Sequence, residues 1–113
     1  MDDIVCIYDR PPDVEAVFRF SGKRTRPYAD GYRPAHRVTD DYLTTGVHHY
    51  NGTKFVPPDG TAMGTITFLT PEAYPHCLWV GKTITVQEGD NIVGYATITK
   101  VLNPLLQGDD DNP

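Results

Sequence analysis

Ten prolines and ten glycines are spread along these 113 residues, and they recur too often to leave room for a long helix. Pro11-Pro12, Asp30-Gly31, Asn51-Gly52, Pro57-Pro58-Asp59-Gly60 and Glu88-Gly89-Asp90-Asn91 each supply a fixed or positive φ, which turns the backbone. Between these corners, β-branched and aromatic residues alternate with polar ones, the period of a half-buried strand. Strands are predicted over Ile4 to Tyr8, Val14 to Phe20, Ala35 to Val38, Thr44 to Tyr50, Gly64 to Leu69, Cys77 to Gln87 and Ile92 to Leu102. Many short strands leave edges that invite aggregation unless the sheet closes on itself or packs on a second one, so the pattern points to a barrel or a sandwich.

Within those strands, parity assigns Val14, Ala16, Phe18 and Phe20 to one inward face, with Ile66 and Phe68, and Ile84 with Val86, on the faces opposite. The length fits one domain with a modest core, taken here as residues 1–107. Residues 108–113, Gly-Asp-Asp-Asp-Asn-Pro, have no apolar anchor and are expected to be a disordered acidic tail. No run of eighteen apolar residues occurs, and Met1-Asp2-Asp3 lacks the basic and apolar regions of a secretory signal. A soluble cytoplasmic protein without membrane contact is the expectation. Cys6 and Cys77 stand in no metal-ligand spacing and are read as reduced thiols rather than a disulfide.

The chain is acidic, with a formal net charge of -5, yet Arg19, Lys23, Arg24, Arg26, Arg33 and Arg37 stand against the single acid Asp30 in the segment they span. Three cations within four residues, Lys23, Arg24 and Arg26, repel one another and call for a compensating anion on a partner protein or on RNA. Arg33, beside Tyr32 and Pro34, is suited to pinning the loop through a carboxylate. Seven tyrosines and Trp79 can serve core or surface.

Motifs strong enough to name a reaction are missing: there is no phosphate-binding G-x-x-x-x-G-K-[ST], no G-x-S-x-G, no H-E-x-x-H and no paired zinc spacing. His48 and His49 are adjacent, so on a strand they face opposite ways and only one can join any given site. No metal, no cofactor and no catalytic residue is expected, and the histidines are read as satisfied or exposed. Asp40-Asp41 and Glu72 read as solvated turn acids.

Gly22-Lys23-Arg24-Thr25-Arg26-Pro27-Tyr28, followed by Gly31-Tyr32-Arg33-Pro34, resembles the long loop of the C-terminal barrel, the third domain, of translation elongation factor Tu. Leu78 to Gly89, leading into Val93-Gly94-Tyr95-Ala96-Thr97, is similar to that domain's closing hairpin, and Thr44-Thr45-Gly46-Val47 sits where the family carries a threonine-rich strand. The resemblance spans residues 13–103. It implies a stand-alone, all-β, closed antiparallel barrel of about six strands, with no GTPase domain in this sequence. It also implies a module that binds rather than catalyses, since in elongation factor Tu this barrel packs on the other domains, contacts tRNA and offers a surface to the exchange factor. The positions carried over are Gly22, Lys23, Arg24, Thr25, Gly31, Tyr32, Arg33, Pro34, Glu88, Gly89 and Gly94. One departure bears on RNA: Asp90 and Asn91 follow Gly89 where the family places a cation, and an acid there repels phosphate.

The expected function is therefore a non-catalytic protein-binding module, with a translation component as the partner implied and with Lys23, Arg24, Arg26, Tyr32 and Arg33 making the contact. Three alternatives stand behind it. An acidic immunity or antitoxin-like protein would neutralise a basic toxin through its acidic faces. A tRNA-binding domain would use the basic loop. A small histidine-dependent enzyme would be built on His36, His48 or His76.

Overall fold

The structure, a computed structural model, describes residues 10–108. Six longer strands, β1 (Val14–Phe20), β3 (Ala35–Thr39), β4 (Tyr42–Tyr50), β6 (Thr61–Phe68), β7 (Thr83–Glu88) and β8 (Asn91–Val101), close into an antiparallel barrel in the order β1-β6-β4-β3-β7-β8. Two short strands, β2 (Tyr28–Ala29) and β5 (Phe55–Val56), pair separately. Closure leaves β1 hydrogen-bonded on both sides, with Ala16 opposite Gly64 of β6 and Ile98 of β8.

The inward faces are those that parity assigned. Val14, Ala16, Phe18 and Phe20, together with Ile66, Phe68, Ile84 and Val86, are all buried in one core. β4 contributes Thr44, Gly46, His48 and Tyr50 to the same interior. At Gly46 a side chain is sterically shut out, because a Cβ there would stand 2.6 Å from Ile66 Cγ2 and 3.1 Å from His36 Cε1.

The two barrel ends close differently. At one end, β2 and β5 fold over the mouth, and the fully buried Tyr28 stacks on Phe20 with ring centroids 3.9 Å apart. At the other end Asp13, 1% exposed, works as a staple. Its carboxylate accepts the N–H of Phe68 at 2.7 Å, Asn103 Nδ2 at 2.9 Å and Arg10 Nη2 at 3.3 Å, while its carbonyl accepts the N–H groups of Leu102 and Asn103. A buried carboxylate needs such a donor set to offset its lost hydration, and this one binds three distant chain segments together.

Two expectations are corrected. The strand drawn from Cys77 to Gln87 begins only at Thr83. Gly81, with φ of 96°, turns the chain, and Lys82 N–H closes that turn onto the Trp79 carbonyl, so the apolar residues at 78–80 are loop rather than strand. The β2 and β5 pairing was not expected, because two-residue strands carry no periodicity. The strand predicted over Ile4 to Tyr8 and the tail beyond Gly108 lie outside the described residues. Gly108 itself, expected to begin the tail, donates its N–H to the Leu78 carbonyl at 2.7 Å. No helix among the described residues is long and apolar enough to cross a membrane.

The ladder is uneven around the barrel. β3 and β7 share a single paired position, Ala35 with Gln87. Farther along this seam the Arg37 N–H donates to Thr85 Oγ1 at 2.9 Å, a side chain standing in for a strand carbonyl.

Candidate functional site

Arg24 and Tyr32 meet at one carboxylate that lies more than fifty residues further along the chain. Glu88, at the end of β7, accepts the Tyr32 hydroxyl at 2.5 Å and Arg24 Nη1 at 2.7 Å. Gly89, with φ of 61°, makes the turn into β8 that presents it. Arg24 uses its other donors within the loop, with Nε to the Arg26 carbonyl at 2.9 Å and Nη2 to the Pro27 carbonyl at 2.6 Å. Its guanidinium lies over Tyr28, with Cζ 3.9 Å from the ring centroid, and 5.2 Å from that of Tyr32. The loop is thus a stack: Arg24 on Tyr28, Tyr28 on Phe20, and Phe20 in the core.

This arrangement divides the five residues singled out by sequence. Arg24 and Tyr32 are brought together on Glu88, so the anion that compensates Arg24 belongs to the chain itself. Arg24 pins the loop to a carboxylate through Glu88. Lys23, Arg26 and Arg33 are exposed. Between the loop and β5 lies an open groove of about 440 Å³, rimmed by Arg24, Arg26 and Tyr32 on one side and by Phe55, 59% exposed, on the other. Burial, the Glu88 hydrogen bond and its charge hold the Tyr32 hydroxyl far above its usual titration range, so it stays a donor. Asp30 fixes the floor, its carboxylate accepting the Tyr50 N–H at 2.7 Å and meeting His49 Nδ1 at 3.3 Å.

The histidines separate as their adjacency requires. His49 reaches Asp30 on the outside, whereas His48 points inward and is fully buried with His36. Their Nε2 atoms are 2.8 Å apart, His36 Nδ1 is 3.4 Å from the Thr44 carbonyl, and His48 Nδ1 is 3.0 Å from the Tyr50 hydroxyl. A carbonyl can only accept, which places the His36 proton on Nδ1. His36 Nε2 then accepts from His48 Nε2–H, and His48 Nδ1 accepts from the Tyr50 hydroxyl. One direction of donation runs along the whole chain. Burial drives the His36 pKa down to about 4 and lowers that of His48 as well, so both rings are neutral near pH 7. Both imidazoles are enclosed by the rings of Phe18, Phe68 and Tyr50.

His76 lies elsewhere, exposed, with Nδ1 on the Gln107 carbonyl at 3.1 Å. No group of three or more His, Cys, Asp or Glu side chains among the described residues is placed to share a metal ion. Cys77 is buried, and Cys6 lies outside the described residues. No protein-family model matches the chain. Sequence reasoning missed Glu88 as the organiser of the loop and Phe55 as the groove's apolar wall. Glu88 was visible only as a hairpin position carried over from the resemblance, and Phe55 sat in a Gly- and Pro-bounded stretch too short to show a period.

Proposed function

We propose that this chain is a non-catalytic binding module, of the kind represented by the C-terminal barrel of elongation factor Tu, that engages a protein partner through its arginine-rich loop. The observation that carries this reading is the convergence of the loop, the Gly31-Tyr32-Arg33-Pro34 turn and the β7–β8 hairpin on Glu88. These are the same segments on which the resemblance rests, and their union holds a groove open with Arg26 and Phe55 exposed on its rim. Arginine beside an exposed aromatic side chain is the composition that protein interfaces favour. The sealed His36–His48 pair supports a role without chemistry. A translation component is the partner class that the resemblance suggests.

The test reverses charge at the two exposed cations and leaves Arg24 in place. Lys23→Glu with Arg26→Glu is expected to change the melting temperature by less than about 4 °C, since exposed substitutions shift stability by roughly 0.5 kcal/mol or less. Affinity purification from the source cell with the two baits should then lose at least one stoichiometric partner. Identical partner sets from both baits would remove the loop from the interface, and a fall of 5 °C or more would assign these residues to the fold.

A further inference from the structure

A second groove, of about 760 Å³, opens over the thin seam between β3 and β7 and shares no lining residue with the loop groove. It lies toward the Thr83 end of β7, away from Glu88. Its walls combine two cations, Arg37 and Lys82, with two aromatic rings, Trp79 and Tyr95, and the single acid Asp40. In a chain of net charge -5, that is a local inversion of sign.

Lys82 is held in an unusual way. Its Nζ donates to the Val38 carbonyl and to the Cys77 carbonyl, each at 2.6 Å, and lies 4.4 Å from the Trp79 ring centroid. An ammonium has three donors, so two are committed to backbone carbonyls, one on β3 and one in the loop before β7, and one remains. Arg37 donates from Nη1 to the Asp40 carbonyl at 3.2 Å, leaving most of its planar fork for a ligand. The seam's own backbone is satisfied by side chains, Lys82 on Val38 and Thr85 on Arg37, rather than by a neighbouring strand. A positioned ammonium, an exposed guanidinium and an indole gathered in one open groove match a short peptide with carboxylate side chains.

We propose that the β3–β7 groove is a receptor for a short acidic peptide segment, with Arg37 and the third Lys82 donor taking its carboxylates and Trp79 packing on its backbone. A phosphate polyanion fits less well. Asp40 on the rim and the negative total oppose a dense run of charge, whereas one or two carboxylates can be seated beside Arg37 without meeting it.

Trp79 is the chain's single tryptophan and stands in the groove, so its fluorescence reports occupancy directly. The probe is the synthetic peptide Gly-Asp-Asp-Asp-Asn-Pro, the sequence of residues 108–113, titrated into the full chain at low ionic strength. Expected are a saturable change in Trp79 emission, no change with the all-asparagine peptide, and at least a tenfold loss of affinity in Arg37→Glu. Because Lys82 also satisfies the fold, Lys82→Met is read by amide chemical shifts: a folded variant should lose binding, and if it unfolds, Arg37→Glu decides alone. The Lys23→Glu, Arg26→Glu variant should bind the peptide as the parent does, which separates this groove from the loop reading. Absence of saturation at millimolar peptide, unchanged affinity in Arg37→Glu, loss of binding in the loop variant, or tighter binding of poly(U) RNA at the same tryptophan would each overturn the proposal.

Discussion

At the scale of single residues, the interior histidines set the chain's response to acid. His36 and His48 share one hydrogen bond at 2.8 Å inside an aromatic shell, and protonating either ring puts an unpaired charge there. In the unfolded chain a histidine titrates near 6.5, whereas burial holds His36 at about 4. Below pH 6.5 the unfolded state therefore binds more protons than the folded one, so stability is full above that pH and falls as pH drops toward 4. His36 alone accounts for roughly 3 kcal/mol across that window, at about 1.4 kcal/mol per pH unit, and His48 adds in the same direction. Denaturant midpoints measured from pH 7.5 to 4.5 should be flat and then decline below about 6.5. Nitrogen-15 shifts should keep both rings neutral to pH 5, with His36 protonated on Nδ1. Titration of either ring near 6.5 in the folded protein would show that the shell admits water.

The individual elements explain how a loop rich in charge is held in one shape. An ion pair as exposed as Arg24 with Glu88 contributes about 1 kcal/mol or less, whereas burying an aromatic ring as fully as Tyr28 contributes roughly 2–3 kcal/mol. Burial of Tyr28 over the barrel mouth therefore anchors the loop, and Glu88 sets its register. Glu88→Gln is expected to lower the melting temperature by only about 3–5 °C, while slowing-limited proteolysis at the Lys23 to Arg26 segment rises at least threefold, measured with trypsin under native conditions. Unchanged cleavage would mean that Glu88 does not hold the loop. This division also marks what the sequence disclosed. β1 was legible from end to end because Val14, Ala16, Phe18 and Phe20 alternate without interruption, and the opposite orientations of His48 and His49 followed from strand parity alone. The pairing of the two histidines did not, because the β3–β4 register sets His36 opposite Thr44, and its ring meets His48 only by lying against the bare Gly46. Asp13 was silent for the same reason: a buried staple is defined by Phe68 and Asn103, neither of which is near it in sequence.

For the molecule as a whole, charge decides between the two kinds of partner that a barrel of this build suggests. The loop presents Lys23, Arg26 and Arg33 to solvent, but Arg24 is already neutralised by Glu88, and Asp90 and Asn91 extend from the hairpin beside it. Screening at physiological salt confines each cation's field to about 8 Å, so a tRNA backbone would feel a few exposed cations, a nearby acid, and then a surface whose total is -5. Nucleic-acid affinity scales with the number of phosphates neutralised, and the loop's three exposed cations can neutralise only a few. Purified protein should therefore retard bulk tRNA with an apparent dissociation constant on the order of 100 µM or weaker at 150 mM salt, with a shallow salt dependence. Replacing Asp90 with Arg should strengthen that binding several-fold at low salt by turning a repulsive contact into an attractive one. Submicromolar retardation by the parent chain, falling steeply as salt is raised, would mean that the loop gathers far more phosphate than its exposed cations account for, and the protein-partner reading would give way to an RNA one.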